Sequence, residues 1–321
     1  MLARIGFSSR KETVSQKIPD NWEEQSRAFS KHALSYFHMN KVDVICCADQ
    51  TFIKYLLAKE HLLVPTGTRR VGTGIESPDE RKGITLMLTA FVSCEDGVLK
   101  SGVLPPFMVF NGKTGATLDK RYADWSRRPG HIGSMNFQKK HWFDTAITLR
   151  WIQWLISQFP VSMRIGLVWD RCPSHEAEKV SSLLKELEDS RRLFSVIIPG
   201  GLTSVLQLGD LILNRPCKNY LRKKFCQFQM NEIEKKRGSG VSGKIVIKIT
   251  REMLMCWTED FINMVNSNME MDILSTIVPC LTKIGQNCFN HDEKLFDEWL
   301  SSLNTNSLYK SMVAAHTAAV L

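Results

Sequence analysis

The sequence predicts an α/β protein in which helices cover a mixed β-sheet. Three observations predict this fold class. Short apolar runs of strand length occur between residues 42 and 199. Segments with apolar residues at helical spacing separate the later runs but not the earlier ones. The resulting element order is strand, strand, strand, helix, strand, helix, strand, helix.

Three strands are predicted before the first helix of the core: residues 42–48, 84–92 and 103–110. The first run is apolar on both faces, as in a central strand. Residues 65–83, which are rich in glycine, threonine and basic residues, are predicted to form a loop or an irregular hairpin. Asp96-Gly97 predicts a hairpin turn between the second and third strands. Pro105 and Pro106 place the start of the third strand at an edge or a bulge.

Helices and strands alternate in the second half of the core. Residues 141–158 have helical spacing, and strand 164–170 follows them. A helix is then predicted with Ser174 as its N-cap. Its inner face follows an i, i+3, i+4, i+7 series: Val180, Leu183, Leu184 and Leu187. A fifth strand, residues 193–199, precedes a basic amphipathic helix. Outside this core the sequence predicts a short helix after Pro19, a flexible break at 238–243, and helices near 250–266 and 272–286.

This order is that of a ribonuclease-H-like fold, with three antiparallel strands followed by alternating helices and parallel strands. In that fold the first and fourth strands end side by side at one edge of the sheet. Asp49 ends the first strand and Asp170 ends the fourth, while Asp210 begins the segment after the fifth. A single aspartate at a strand end is more often a turn residue than a ligand. Three at matching positions predict converging carboxylates.

Three converged carboxylates repel one another unless a cation lies among them. Oxygen ligands without histidine or cysteine select Mg²⁺ or Mn²⁺ over zinc. Two such ions can activate a water or a 3′-hydroxyl for attack on a phosphodiester and stabilise the leaving oxygen. The predicted site is therefore a two-ion site that cleaves nucleic acid or transfers its strands.

The net charge of +9 and the pI of about 9.1 indicate an anionic partner, and DNA bound through its backbone is the expected one. Residues 218–251 contain ten lysines and arginines but only two acidic residues. Phosphate contacts are predicted for basic residues of the helix in this segment and of the 65–83 loop: Lys218, Arg222, Lys223, Lys224, Arg69 and Arg70.

Several classes of protein are disfavoured. The nine cysteines form no CxxC pair, so the sequence signals neither a disulfide framework nor a zinc knuckle. The first residues lack the apolar core of a signal peptide, and no run is long enough for a membrane span. "GTGIES" (72–77) does not follow a strand and open a helix, so no nucleotide cofactor is expected. A nuclear location is expected, without membrane attachment.

Four segments carry a family resemblance: "ADQT" (48–51), "LPPFMVFNGK" (104–113), "WDRCPSH" (169–175) and "TSVLQLGDLILNRPCK" (203–218). In this order over roughly residues 40–220, they resemble motifs of the pogo/Tigger branch of DDE-superfamily transposases and of host proteins derived from them. The resemblance implies that Asp49, Asp170 and Asp210 are the metal-binding catalytic triad. His175 would orient the triad or contact phosphate, or it is simply a helix-start histidine. Gln207 would position the loop before Asp210, or it is an ordinary turn residue.

The sequence also departs from the family pattern. Arg171 and Cys172 replace the usual Asn and Ala after the second aspartate, and Gly209 replaces a leucine before the third. A guanidinium at position 171 is expected to compete with a cation for Asp170, and a glycine at 209 to loosen the backbone before Asp210. The helix-turn-helix modules that family transposases use on their DNA ends are expected to be missing, except for a remnant in residues 1–10, so sequence-specific end binding is doubtful.

These observations divide the chain into a connector that follows a lost helix-turn-helix region (1–40), an endonuclease-like core (41–229), and a basic linker with a helical C-terminal region (230–321). The favoured function is a transposase-derived DNA-binding protein with a metal-dependent endonuclease and strand-transfer core. Two alternatives remain at this point: a catalytically silent, host-adopted scaffold that binds DNA or chromatin, and a nuclease of the same fold acting on RNA or repair intermediates. A homodimer or a chromatin-protein partner is a further expectation.

Overall fold

The computed structural model describes residues 19–54, 83–95, 98–207, 209, 213–239 and 249–267. Its strands are β1 (Val44–Lys54), β2 (Gly83–Glu95), β3 (Val98–Val103), β4 (Phe107–Asn111), β5 (Ser134–Gln138), β6 (Ile165–Trp169) and β7 (Leu193–Ile197). Its helices are α1 (Trp22–Met39), α2 (Thr117–Tyr122), α3 (Thr145–Ser157), α4 (Glu178–Asp189), α5 (Thr203–Leu206), α6 (Asn214–Gly238) and α7 (Arg251–Asn266), with a 3₁₀ turn at Trp125–Arg127.

The seven strands form one mixed sheet in the order β5-β4-β2-β1-β6-β7, and β3 extends from β2. β1 pairs antiparallel with β2 on one side and parallel with β6 on the other. β7 and β5 continue the sheet in parallel with β6 and β4. This confirms the ribonuclease-H-like α/β fold predicted from the element order.

The sheet is buried on both faces because its strands are apolar throughout. On one face, Val44, Cys46 and Ala48 of β1 belong to the core packed by α3 and α4. On the other face, Ile45 and Cys47 belong to the core packed by α1, α6 and α7. Since side chains alternate along a strand, this assignment decides which face each site residue meets.

Several elements differ from the predicted ones. The predicted third strand is two strands, β3 and β4, because Pro105 and Pro106 interrupt it. Ser174 is not the N-cap of α4, which begins at Glu178 after Ala177 with no side-chain cap. The helix after Pro19 is not short: α1 has 18 residues, and its Phe37 is buried in the core. Three elements, β5, α2 and α5, were not predicted.

Other predictions lie outside the described residues. They concern the remnant in residues 1–10, Arg69 and Arg70, the helix near 272–286, and most of the break at 238–243. None of the helices within the described ranges combines the length and apolar character needed to cross a membrane.

A buried carboxylate fixes α7 to the segment that precedes β5. Oε1 of Glu259 accepts hydrogen bonds from Trp125 Nε1 and from the backbone N–H groups of Ile132 and Gly133 at 2.8–3.0 Å. Oε2 lies 2.8 Å from Nδ1 of His131. Cys256 lies close enough to complete a trio of potential metal-ligating atoms with these two residues. A nitrogen-to-oxygen distance of 2.8 Å is nevertheless that of a hydrogen bond, so we interpret the cluster as structural.

Glu259→Ala should lower the free energy of unfolding by about 3 kcal/mol, because several buried N–H groups would lose their acceptor. Asp260→Ala on the same helix is the matched control, since Asp260 is exposed and its ion pair with Lys224 should contribute less than about 1 kcal/mol. Urea unfolding of both variants measures the difference. Equal losses would show that Glu259 does not anchor this segment.

Candidate active site

The parallel pairing of β1 with β6 ends at Ala48 and Trp169. Asp49, still within β1, and Asp170, just after β6, are the next residues, and neighbouring strands of a sheet lie about 4.8 Å apart. Asp49 alternates with Ala48, so it belongs to the face covered by α6 and α7. Oδ1 of Asp170 lies 3.6 Å from Nδ1 of His175. The structure therefore places two of the three predicted aspartates one residue past the same strand pairing.

Asp49 is not the end of its strand, as the sequence predicted. β1 continues to Lys54 because it still pairs with β2, where Asp49 lies opposite Leu88. Only the pairing with β6 stops before Asp49. The Asp49 carboxylate is thus held on an ordered strand and is only 4% exposed.

Residues that follow β7, up to the first residue of α6, contact β1 at Ala48 and Asp49. Asn214 donates a hydrogen bond from Nδ2 to Oδ2 of Asp49 at 2.5 Å. Gln207 donates from Nε2 to the carbonyl oxygen of Ala48 at 3.0 Å. A Cβ atom added to Gly209 would lie 2.2 Å from Cβ of Asp49. Asp210 lies outside the described residues, so its convergence on the pair stays a prediction, with its neighbour Gly209 directly against Asp49.

His175 connects β1, at Gln50, to Asp170, the residue that follows β6. Its Nδ1 lies 2.9 Å from the carbonyl oxygen of Asp170 and its Nε2 lies 2.8 Å from Nε2 of Gln50. The amide nitrogen of Gln50 can only donate a hydrogen bond, so Nε2 of His175 is the acceptor. Nδ1 of His175 therefore carries the proton and donates to the carbonyl oxygen of Asp170. The imidazole also stacks on Trp169, with ring centroids 4.0 Å apart. The ring is buried, so of the two predicted roles the structure favours orientation of Asp170 over contact with phosphate.

Burial lowers the pKa of the His175 imidazole below its usual value, although the hydrogen bond to Asp170 and the nearby charges of Asp170 and Glu176 oppose this shift. The ring is therefore neutral at physiological pH, which agrees with the tautomer that its hydrogen bonds require.

The described site contains two carboxylates, neutral amides and the His175 imidazole. Because both ring nitrogens of His175 take part in hydrogen bonds, the donor atoms left for a ligand are oxygens. Asp49 is buried, whereas the side chain of Asp170 is 25% exposed and can meet a ligand from solvent. Hard divalent cations such as Mg²⁺ and Mn²⁺ prefer oxygen ligands of this kind. The residues present therefore fit the predicted metal chemistry.

Comparison with known protein families shows that residues 84–270 match the family described as DDE superfamily endonuclease. The match spans more than half of the chain. The chain belongs to the DDE superfamily endonuclease family.

Solved structures similar to the chain include three of Mos1. The Mos1 mariner paired-end complex with Mn has 13% identity and a TM-score of 0.45, covering 90% of this chain and 68% of that one. The paired-end complex with Mg has 14% identity and a TM-score of 0.44, covering 90% and 67%. The catalytic domain of Mos1 mariner transposase has 13% identity and a TM-score of 0.36, covering 86% and 96%. No curated protein matches the sequence.

The region matched by the family contains two of the three predicted aspartates. Asp170 and Asp210 fall inside the matched region, whereas Asp49 precedes it. The assignment of Asp49 therefore depends on its position beside Asp170 in the sheet. The narrower assignment to the pogo/Tigger branch stays a prediction.

The departures from the DDE family pattern have physical explanations. The Arg171 guanidinium was expected to compete with a cation at Asp170, but its Nε donates to Oε1 of Glu176 at 2.9 Å on the protein surface. Gly209 was expected only to loosen the backbone. Its small size is required where the chain passes Asp49, because any Cβ would overlap that side chain.

Sequence reasoning missed Gln50 and Asn214. Gln50 follows Asp49 on the strand and faces the opposite side of the sheet, where it meets His175. Asn214 begins α6 and reaches back across 165 residues of sequence to Asp49. In the sequence, Asn214 is marked only by its position close after Asp210, and this position does not identify Asp49 as its hydrogen-bond partner.

Gly209→Ala should destabilise the protein by about 1–3 kcal/mol, because the new methyl group displaces either Asp49 or the backbone beside it. Gly200→Ala is the matched control, since a Cβ there meets no atom within 4 Å. Urea unfolding compares the two variants. If both are as stable as the wild type, the close approach of Gly209 to Asp49 is wrong.

The neutral state of His175 predicts a pH dependence. An unfolded histidine with a pKa near 6.5 binds a proton more readily than buried His175, so the stability contributed by the neutral ring is present above pH ~6.5 and is lost as pH falls below it. His175→Asn should therefore lose less stability than the wild type between about pH 7.5 and 5.5. Urea midpoints across this range measure the difference, with the exposed His32→Asn as control. Identical pH dependence in all three proteins would contradict a buried, neutral His175.

Proposed function

We propose that the chain is a transposase-derived DNA-binding protein whose core is a metal-dependent DDE endonuclease with strand-transfer chemistry. The observation that carries this proposal is that the parallel pairing of β1 with β6 ends at Ala48 and Trp169, one residue before Asp49 and Asp170. Family membership and the oxygen-only donor set support the same conclusion.

In this proposal Asp49, Asp170 and Asp210 hold Mg²⁺ or Mn²⁺, as a two-ion site. When bound, such ions activate a water or 3′-hydroxyl and stabilise the leaving oxygen during in-line displacement at phosphorus. The protein supplies rigid placement of the ligands, because a carboxylate that moves by an ångström loses much of its effect on the reaction.

Neutral groups of the chain provide that placement. The side-chain amide of Asn214 donates a hydrogen bond to one carboxylate oxygen of Asp49 and orients it. The side-chain amide of Gln207 donates to the backbone carbonyl of Ala48 and so holds residue 207 against β1. His175 fixes the backbone of Asp170 and is itself held by Gln50 and Trp169. Because these partners carry no positive charge, they orient the carboxylates without replacing a cation.

The basic surface of α6 is proposed to bind the DNA backbone. The helix begins at Asn214, which contacts Asp49, so its first turns lie beside the site. Arg215, Arg222 and Lys223 are exposed on this helix. Residues seven and eight apart share a helical face and span about 12 Å. This face presents its charges along a line that leads away from the carboxylates.

Lys224 differs from its neighbours. Its Nζ lies 3.4 Å from Oδ2 of Asp260 and 5.4 Å from the ring centroid of Tyr220. The lysine is thus engaged between α6 and α7, and we assign it a smaller part in phosphate binding than Arg222 and Lys223.

The proposal places the protein in the nucleus, where its substrate is, and allows a homodimer or a chromatin-protein partner. The alternative is a catalytically silent scaffold that has kept the fold and the basic surface. The departures at Arg171, Cys172 and Gly209 motivate it, because they alter the segments that carry Asp170 and Asp210.

Nicking of supercoiled plasmid by the purified chain in Mg²⁺ or Mn²⁺ tests the catalytic proposal. We expect nicking that EDTA abolishes and that Asp170→Asn lowers by at least about 100-fold, since one metal ligand is lost. Asp189→Asn, on the surface of α4, is the matched control and should be as active as the wild type. Equal inactivity of wild type and Asp170→Asn, with DNA binding intact, would establish the silent scaffold. Cleavage of an RNA–DNA hybrid but not of duplex DNA would support a nuclease of different specificity.

Salt dependence of duplex binding tests the assignment of α6. Each phosphate neutralised contributes about 0.9 to the slope of log affinity against log salt concentration. Arg222→Ala combined with Lys223→Ala should therefore lower the slope by about 1.8, whereas Lys224→Ala should change it by less than about 0.5. Fluorescence anisotropy with a labelled duplex measures these slopes. An unchanged slope in the double variant would exclude this face as the DNA-binding surface.

A further inference from the structure

Exposed aromatic rings and lysines form a second surface at the carboxylate edge of the sheet. Trp142 is 67% exposed and Phe52 is 41% exposed, which is unusual for side chains of this size. The ring of Phe52 stacks on that of His141, with centroids 5.3 Å apart and an interplanar angle of 23°. Lys139 and Lys140 immediately precede His141 in the sequence and are also exposed. We name these five residues the aromatic-basic patch.

The patch is held in a fixed shape by its own hydrogen bonds. Oε1 of Gln138 accepts from the backbone N–H groups of Lys140 at 2.5 Å and Trp142 at 3.4 Å. Nε2 of Gln138 donates to Asp144, which caps α3. His141 adopts a positive φ of 52°, which turns the chain back within the segment. A ring presented on such a turn loses little conformational entropy when it binds.

The patch lies at the same edge of the sheet as Asp49 and Asp170. β5 is parallel to β4, and both β4 and β1 are antiparallel to β2, so β5 and β1 run in the same direction. Residues that follow β5 therefore leave the sheet at the edge where the carboxylates lie. Phe52 is three residues beyond Asp49, which is about 10 Å along β1, and it faces the opposite side of the sheet.

The chemistry of the patch selects one class of ligand. Exposed aromatic rings stack on nucleic-acid bases, and adjacent ammonium groups bind the phosphates between them. Base pairs in a duplex are already stacked on their neighbours, so the rings can reach only unpaired bases. Charge complementarity favours an anionic strand over a neutral apolar partner.

We propose that the aromatic-basic patch binds unpaired nucleotides of a DNA strand, with bases stacked on Trp142 and Phe52 and phosphates on Lys139 and Lys140. This inference rests on the proposed DNA-binding function, and it adds a preference for single-stranded DNA beside the cleavage site. Strand separation next to the scissile phosphate would expose the nucleotides that the patch receives.

The test measures binding of the full chain to a labelled single-stranded oligonucleotide and to the same sequence as a duplex. Trp142→Ala should weaken single-strand binding about tenfold, because a lost stacking contact is worth about that factor. The slope against log salt should not change in this variant, since no charge is lost. Lys139→Ala with Lys140→Ala should lower the single-strand slope by about 1.4. Trp142→Phe should retain most of the affinity.

Val161→Ala, also at an exposed apolar side chain, and Lys185→Ala, on the surface of α4, are the matched controls. Thermal unfolding of every variant checks that its fold is intact. Wild-type affinity for the single strand in Trp142→Ala overturns the proposal, as does an equal loss for single strand and duplex. Failure of the wild type to bind the single strand at all also overturns it.

The outcomes separate this inference from the proposed function. Metal-dependent nicking that requires Asp170, together with a silent Trp142→Ala, rejects the patch and keeps the endonuclease. An inert wild type whose single-strand binding depends on Trp142 keeps the patch and rejects catalysis.

Discussion

The parallel pairing of β1 with β6 is the constraint on which the site depends. It brings together residues that are 121 positions apart in sequence, and it ends one residue before each aspartate. The antiparallel pairing of β1 with β2 continues past this point and keeps Asp49 on an ordered strand. At Asp49, β1 is therefore paired with β2 on one side, while on the other side its pairing with β6 has ended.

Adjacent carboxylates cost stability unless their charge is compensated. The contacts described around Asp49 and Asp170 come from amides, backbone and a neutral imidazole. The nearby guanidinium of Arg171 is directed to Glu176 on the surface. In the proposed function, a divalent cation supplies this compensation. Asn214 at the start of α6 contacts Asp49, so the helix that contacts the site also carries the basic side chains that we propose bind DNA.

The sequence was sufficient for the fold class and for the adjacency of the two strands that carry or precede Asp49 and Asp170, because both follow from apolar runs and element order. The sequence was insufficient where contacts between residues distant in the chain determine the bounds of a strand or the partner of a side chain. β1 extends past Asp49 because β2 pairs with it there, and no local signal shows this extension. Asn214 and Gln50 depend on partners brought close only by folding. Serine is a common N-cap residue, but Ser174 does not cap α4. The turn that contains His175 comes first, and α4 begins only at Glu178.

The central claim is that folding places Asp49, Asp170 and Asp210 around one metal-binding point. A crystal structure of the chain grown with Mn²⁺, with anomalous data collected for manganese, tests this claim most directly. We expect a manganese peak within coordinating distance of the Asp49 and Asp170 carboxylates, about 2.0–2.3 Å, with Asp210 facing the same point. Ordered carboxylates without a peak between them, or Asp210 directed away from the pair, would contradict it.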